Sequence, residues 1–273
     1  MTVHRPFEFT IGPLTVTGFG IAVLLAFLVA QVISQRELER RGHNADAIPD
    51  LVLAAVIGGL LGAKLYYVLL TRDMSNLFTR GGFVFWGGLI GGIVAVIAVI
   101  RVKKLNMWRI ADVAGIAVAA AYAVGRTGCW AVGDDYGRPW NGFLAVKFPN
   151  GAPPSTAAVM ERDFGIPIAE GVSPDTVLSV YPTQLFETAL AMIMFFILWR
   201  MRNHRHAEGW LFGVYMVLAG IERFIIEFFR AKDDRFFGVL TMAQLIALAF
   251  IVGGIVWMKA RERVGGEKKA IYA

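Results

Sequence analysis

The sequence predicts an all-α polytopic membrane protein, a bundle of about seven transmembrane helices with a small extracytoplasmic cap. Three observations lead there. Hydrophobic residues fill 56% of the 273 positions and charged residues only 18%, where soluble domains carry roughly 25% charged residues. The mean hydropathy is +0.57. Apolar residues also run on without alternation over lengths near the ~20 residues that a helix needs to cross the hydrocarbon core. Such runs exclude a membrane barrel, whose strands alternate apolar and polar positions.

Seven runs qualify, at residues 14–34, 51–70, 83–100, 110–125, 181–199, 210–229 and 239–258. The first is too long for a signal-peptide core and no small-residue cleavage site follows it, so it reads as retained. The fourth is the shortest. The 30 glycines are spread through the runs, as suits helices whose backbones approach closely in lipid.

Lys and Arg in the connections set the orientation. One set, from Arg36 to Arg41, Arg101 to Arg109, Arg200 to Arg205 and Lys259 to Lys269, is dense. The other comprises Arg5, Arg72, Arg80, Arg126, Arg138, Lys147, Arg162, Arg230, Lys232 and Arg235, and it is thinly spread. The dense set is expected in the cytoplasm. The N-terminus then lies outside, the C-terminus is cytoplasmic, and residues 126–180 form an extracytoplasmic cap, turn-rich at FPNGAPPS and GVSPD, within a single integral membrane domain of residues 1–273. The net charge of +6 thereby reflects topology, and no nucleic-acid partner is expected. A single cysteine, Cys129, excludes an intramolecular disulfide and a thiolate metal cluster.

Ionisable groups inside spans cost a few kcal/mol each and mark candidate functional sites. Lys64, Asp112, Glu187, Glu222, Arg223 and Glu227 are such groups, with Arg126 and Arg230 at outer ends. In IERFIIEFFR, Arg223, Glu227 and Arg230 recur at helical spacing on one face. They can be an ion pair that locks two helices or guanidinium donors for an anion, a task to which Arg is suited by its planar fork. In YPTQLFE, Thr183, Gln184 and Glu187 make a second polar face, after a Pro182 that fits a first helical turn. Interhelical hydrogen bonding would use the same residues. The stretch GRTGCWAVGDDYGRP, with Arg126, Gly128, Asp134 and Gly137, reads as a glycine-rich loop at a span's outer end, either cradling an anion or only turning the chain. GGFVFWGGLIGG, with Trp86, Gly87 and Gly88, and GGLLG in the second span carry small residues four apart, which suits close helix packing or a lipid groove.

Together these pieces resemble the prolipoprotein diacylglyceryl transferase family over nearly the whole chain. GGFVFWGGLIGG, GRTGCWAVGDDYG, YPTQLFE and ERFIIEFFR occur in the family's order. The resemblance implies transfer of a diacylglyceryl group from phosphatidylglycerol to the lipobox cysteine thiol of a preprolipoprotein signal peptide, in the bacterial cytoplasmic (inner) membrane. It implies a thioether product, glycerol phosphate as leaving group, membrane lipids as surroundings, and no metal or organic cofactor. Arg126 then resembles the essential signature arginine, Arg223 the second essential arginine, Glu227 its partner and Gly137 the closing glycine, while Asp134 stands where the family has glutamate. Departures fall at Trp86 and Tyr181, each in the place of a histidine, at Cys129 in that of an asparagine, and at Phe19 in that of a tyrosine.

Displacement of oxygen by sulfur needs a thiolate, with an ordinary pKa of about 8.5, and stabilisation of the departing phosphate. Arg126 and Arg223 are expected to serve the phosphate, with Arg230, Tyr181, Gln184, Gly128, Gly137, Trp86, Gly87 and Gly88 lining the substrates. In the absence of the family histidine, the base is expected among Glu227, Glu187 and Asp134. Two other readings stay open: a divergent paralogue with another acceptor, and a lipid-binding or transport protein without chemistry.

Overall fold

The apolar runs fold as long helices joined by short segments. The computed structural model describes residues 2–12, 14–79, 82–231, 235–236 and 240–271. Arg80, Gly81, Lys232 and Val239 lie outside the described residues, as do the side chains of Arg235, Arg263, Lys268 and Lys269. The helices are α1 (Gly18–Arg40), α2 (Ile48–Thr71), α3 (Phe85–Val102), α4 (Met107–Val132), α5 (Ala157–Phe164), α6 (Thr183–Met201), α7 (Trp210–Ile226) and α8 (Met242–Ile271). Six of them, α1, α2, α3, α4, α6 and the 242–262 part of α8, are long and apolar enough to cross a membrane. α7 has 17 residues.

Two boundaries differ from the sequence expectation. Residues 14–17 pair with Glu8–Ile11 as an antiparallel hairpin, so the first helix starts only at Gly18. The fourth helix is longer at both ends. Asn106 Oδ1 accepts the backbone N–H groups of Trp108 and Arg109 at 3.0 and 3.2 Å, an N-cap that starts the helix before the apolar run. At the other end the helix passes through Gly125 and Gly128 and stops at Gly133. There the N–H of Gly133 bonds Trp130 O at 3.1 Å and that of Asp134 bonds Cys129 O at 2.9 Å, while Gly133 adopts φ +69°. This is a Schellman cap, and it returns the chain sharply toward the helix it has just left.

By internal packing the chain divides into two units, residues 30–114 and residues 1–29 with 115–273. In the first, α2 and α3 touch along glycines. A Cβ on Gly62 would stand 2.3 Å from Gly87 O, and one on Gly91 2.3 Å from Gly58 O, so any side chain there would part the helices. Lys64 is buried, its ammonium donating to Thr79 O at 2.7 Å and Oγ1 at 3.1 Å and lying 4.8 Å from the Phe83 ring centroid. Leu38, Ile48, Leu51, Ile100, Ile110 and Val113 form an apolar core. Beside it, buried Glu37 accepts from Arg40 at 2.6 Å and from Arg41 at 2.8 Å.

In the other unit, α6 packs on α7 and α7 on α8. The connection from Gly133 to Pro182 carries the strand Val146–Lys147, α5 and the strand Ser179–Val180, and Val146–Lys147 pairs with both Ser179–Val180 and the N-terminal strand Thr2–Val3. It has its own core of Tyr136, Val146, Phe148, Met160 and Val180, with Tyr136 stacked on Phe148. Thr156 caps α5 and Gly165 ends it in the left-handed conformation.

Candidate active site

The Schellman cap at Gly133 brings Asp134 and Asp135 back beside the last turns of α4, and Asp135 itself holds a left-handed φ of +60°. The first turn of α6 fixes that return. Thr183 Oγ1 donates to Asp135 O at 2.6 Å and Gln184 Nε2 to Asp134 O at 2.6 Å. Thr183, Gln184 and Glu187 share a face, so Glu187 is carried one turn deeper on the same side, fully buried.

Glu187 is the hub. One oxygen pairs with Arg126 Nη2 from α4. The other lies 3.7 Å from Arg223 Nη1 of α7 and 3.8 Å from Arg230 Nη1 just beyond α7. Arg223 Nη2 pairs with Glu227 at 2.8 Å, the one-turn spacing visible in the sequence. Asp135 bridges two arginines, taking Arg126 Nη1 on Oδ2 at 2.8 Å and Arg230 Nη2 on Oδ1 at 2.7 Å. The structure thus brings Arg126, Glu187, Arg223, Glu227 and Arg230 together from three stretches of chain. Arg126 Nη1 also reaches Cys129 Sγ at 3.3 Å, while buried Arg126 Nε and Gln184 Oε1 have no hydrogen-bond partner among the described residues. Unsatisfied buried polar atoms of this kind are uncommon and ask for an explanation, such as a ligand.

The adjacent carboxyls titrate in opposite directions. Burial pushes Asp134 up and the neighbouring Asp135 charge adds to it. Burial would raise Asp135 as well, but the Arg230 and Arg126 charges and their hydrogen bonds outweigh it and hold the group at about 2. Asp134, Asp135, Tyr136, Asp163, Phe164 and Arg230 line a cleft of about 280 Å³.

Other expected site residues serve the backbone. Gly128 sits inside helix α4, where a Cβ would meet Ala22 Cβ of α1 at 2.7 Å, so it packs helix on helix. Gly137 donates to Tyr181 O at 2.8 Å, and a Cβ there would fall 2.3 Å from Phe229 O. Tyr181 stacks on Trp140 at 4.3 Å between centroids and meets Phe229 edge-on. Trp86, Gly87 and Gly88 belong to the other unit, Trp86 about half exposed and Gly87 seated against Gly62 and Tyr66. Sequence reasoning missed Asp135. The signal was the Asp-Asp pair, but only the two left-handed residues decide which carboxylate turns to the arginines.

A guanidinium cluster beside a raised carboxyl and a cleft can stabilise a leaving phosphate and accept a proton. A model of the family described as prolipoprotein diacylglyceryl transferase matches residues 6–260. The phosphatidylglycerol–prolipoprotein diacylglyceryl transferase of Burkholderia thailandensis is 30% identical, the alignment covering 99% of this chain and 100% of that one. The proteins of the same name from Clostridium tetani and Clostridioides difficile are 28% and 29% identical, over 92% and 91% of this chain and 95% and 92% of theirs.

Proposed function

The chain belongs to the prolipoprotein diacylglyceryl transferase family, and from that premise we propose that its arginine cluster holds the phosphate of phosphatidylglycerol during transfer to a prolipoprotein thiol. The protein is a multi-pass membrane transferase that moves a diacylglyceryl group from phosphatidylglycerol to prolipoprotein. A lipid-binding or transport role without chemistry is not favoured, because the relatives named above are all transferases.

The bond that breaks joins the diacylglyceryl carbon to the phosphate oxygen; the one that forms joins that carbon to the cysteine sulfur. Glycerol phosphate leaves with the electron pair, and the thiol proton passes to a base. Arg223, whose side chain is 33% exposed, contacts the phosphate first, and Arg230 and Arg126 add donors behind it. Glu187 and Glu227 are occupied by guanidinium groups. Asp134, pushed up by burial and placed on the cleft, is the base in this scheme.

All these groups lie at the ends of α4 and α7 and the start of α6, which the density of Lys and Arg assigns to the outer side of the bacterial inner membrane. The N-terminus is then outside, the C-terminus cytoplasmic, and the connection from Gly133 to Pro182 forms the cap; residues 126–132, expected in it from the sequence, are the last turns of α4. α7 is the sixth of seven spans in this arrangement; its 17 residues reach only about 26 Å at 1.5 Å per residue, and the turn 227–229 completes the crossing.

The observation that carries the reading is that Arg126 and Arg223, on separate helices, meet at one buried carboxylate. Incubation with labelled phosphatidylglycerol and a lipobox peptide should yield a diacylglyceryl peptide. Arg126→Ala and Arg223→Ala should each lower that yield by at least about 100-fold, the scale of losing a donor to a developing anion. Full activity in either variant would remove the phosphate role.

A further inference from the structure

We propose that Asp135 is a built-in counter-anion, which holds the facing edges of Arg126 and Arg230 in the empty site and is displaced by the phosphate of the incoming lipid. The inference rests on the donor reading above and adds a residue that competes with the donor.

Four observations support it. First, Asp135 offers the arginines what a phosphate offers, two oxygens of one anion, one on each guanidinium, at 2.8 and 2.7 Å. Second, Arg126 is taken up at both ends, Nη1 by Asp135 and Nη2 by Glu187. An anion can therefore engage the Nη1 edge only if Asp135 leaves. Third, the carboxylates differ in access. The side chains of Glu187 and Glu227 are 0% and 2% exposed, whereas that of Asp135 is 34% exposed and borders the 280 Å³ cleft, so it alone of the three has a path to water. Fourth, charge balances against the ligand while Asp135 is in place. Arg126, Arg223 and Arg230 are ion-paired by Asp135, Glu187 and Glu227, three against three, so no guanidinium is left over for a phosphodiester. Withdrawal of Asp135 from the arginines leaves three of them against two paired carboxylates, which frees guanidinium donors for that monoanion.

A structural brace would make the same contacts, but the two roles have opposite signs on lipid affinity. Removal of a competitor tightens donor binding; removal of a brace loosens it. The displacement needs no change in α4, α6 or α7, since Asp135 stands on the returning segment and its backbone is held independently through Thr183.

The test uses the full-length protein in phosphatidylcholine nanodiscs, titrated with phosphatidylglycerol. Binding is read by tryptophan fluorescence without acceptor peptide, and KM is measured with it. Asp135→Asn removes the charge. Asp135→Gly removes the carboxylate and accepts φ +60° without strain, which guards against a folding failure of the first variant. Both should lower Kd and KM for phosphatidylglycerol by about three- to tenfold, the weight of a part-exposed charge contact. An unchanged or raised Kd in both variants overturns the counter-anion role. Wild-type protein that prefers phosphatidylglycerol over phosphatidylcholine, and loses that preference in Arg126→Ala, keeps the donor reading intact in that event. Wild-type protein with no preference overturns both.

Discussion

Among the described residues two clusters gather arginines around a buried carboxylate, and they are built on different principles. Around Glu37 the partners are three and four residues away, Arg40 in the last turn of α1 and Arg41 just past it, with Asp112 of α4 3.8 Å from Arg41 as the single remote member. Around Glu187 and Asp135 they come from α4, α6 and the end of α7, with Asp135 and Arg230 separated by 95 residues. Local pairs form whenever the helix forms and stabilise it by some tenths of a kcal/mol each. Distant pairs exist only in the folded unit, and the ordering of three segments around one carboxylate has to be supplied by the rest of the fold. Burial of charge alone therefore does not identify a site. What separates the clusters is that the hub carboxylate Glu187 takes all its arginines from remote segments and the cluster borders a cleft, whereas Glu37 is served by its own chain neighbours.

The sharpest way to break this comparison is to remove each hub. Glu187→Ala leaves Arg126 buried without the carboxylate on its Nη2 edge, and breaking a buried pair costs about 3–5 kcal/mol. We expect a large drop in unfolding temperature and loss of labelled lipid transfer. A variant that keeps both would show that Arg126 is solvated by water from the cleft and that Glu187 is no hub. Glu37→Gln is the control. Its arginines are partly exposed, 35% for Arg40 and 16% for Arg41, so the loss is expected at about 1 kcal/mol or less. Transfer by the folded fraction should stay within about twofold, since water can take over for part-exposed guanidiniums. A defect in transfer larger than the loss of folded protein would mean that the local cluster also bears on catalysis.

The same contrast explains what could be read from the sequence. Helical runs were legible because lipid demands long stretches of apolar side chains, and the Arg223–Glu227 pair was legible because it is local. The end of α4 was not. Gly125 and Gly128 read as a loop, yet both lie inside a helix; the missing side chain of Gly128 lets that helix pass close to α1, where a Cβ would stand 2.7 Å from Ala22 Cβ, whereas a Cβ on Gly125 would meet nothing within 4 Å. The meeting of Arg126 with Glu187 depends on helix packing, which no spacing in the sequence encodes. The resemblance marks Asp134, which stands where the family has glutamate, but nothing in the sequence singles out Asp135: which of two adjacent carboxylates turns to the arginines is set by left-handed backbone at Gly133 and Asp135, a property of conformation rather than of residue type.

The smallest expected effect separates these two neighbours by pH. Asp135 is held at about 2 in the folded protein, below the ~3.9 of an unfolded chain. A depressed carboxyl contributes stability that is present above the unfolded pKa and lost as pH falls through the folded one. Asp134 is raised, so it acts in reverse, relieving the folded state as acid protonates it. The difference in unfolding free energy between wild type and Asp135→Asn should then be about 1 kcal/mol at pH 5, after allowance for the exposure of the side chain, and vanish toward pH 2. A difference that grows in acid would contradict the ion pairs of Asp135. Taken with the lipid titration, the signs are opposed: the same substitution should weaken the empty protein and tighten its grip on phosphatidylglycerol. A residue that stabilises the empty site and obstructs the ligand produces that combination, whereas a simple brace would lose on both counts.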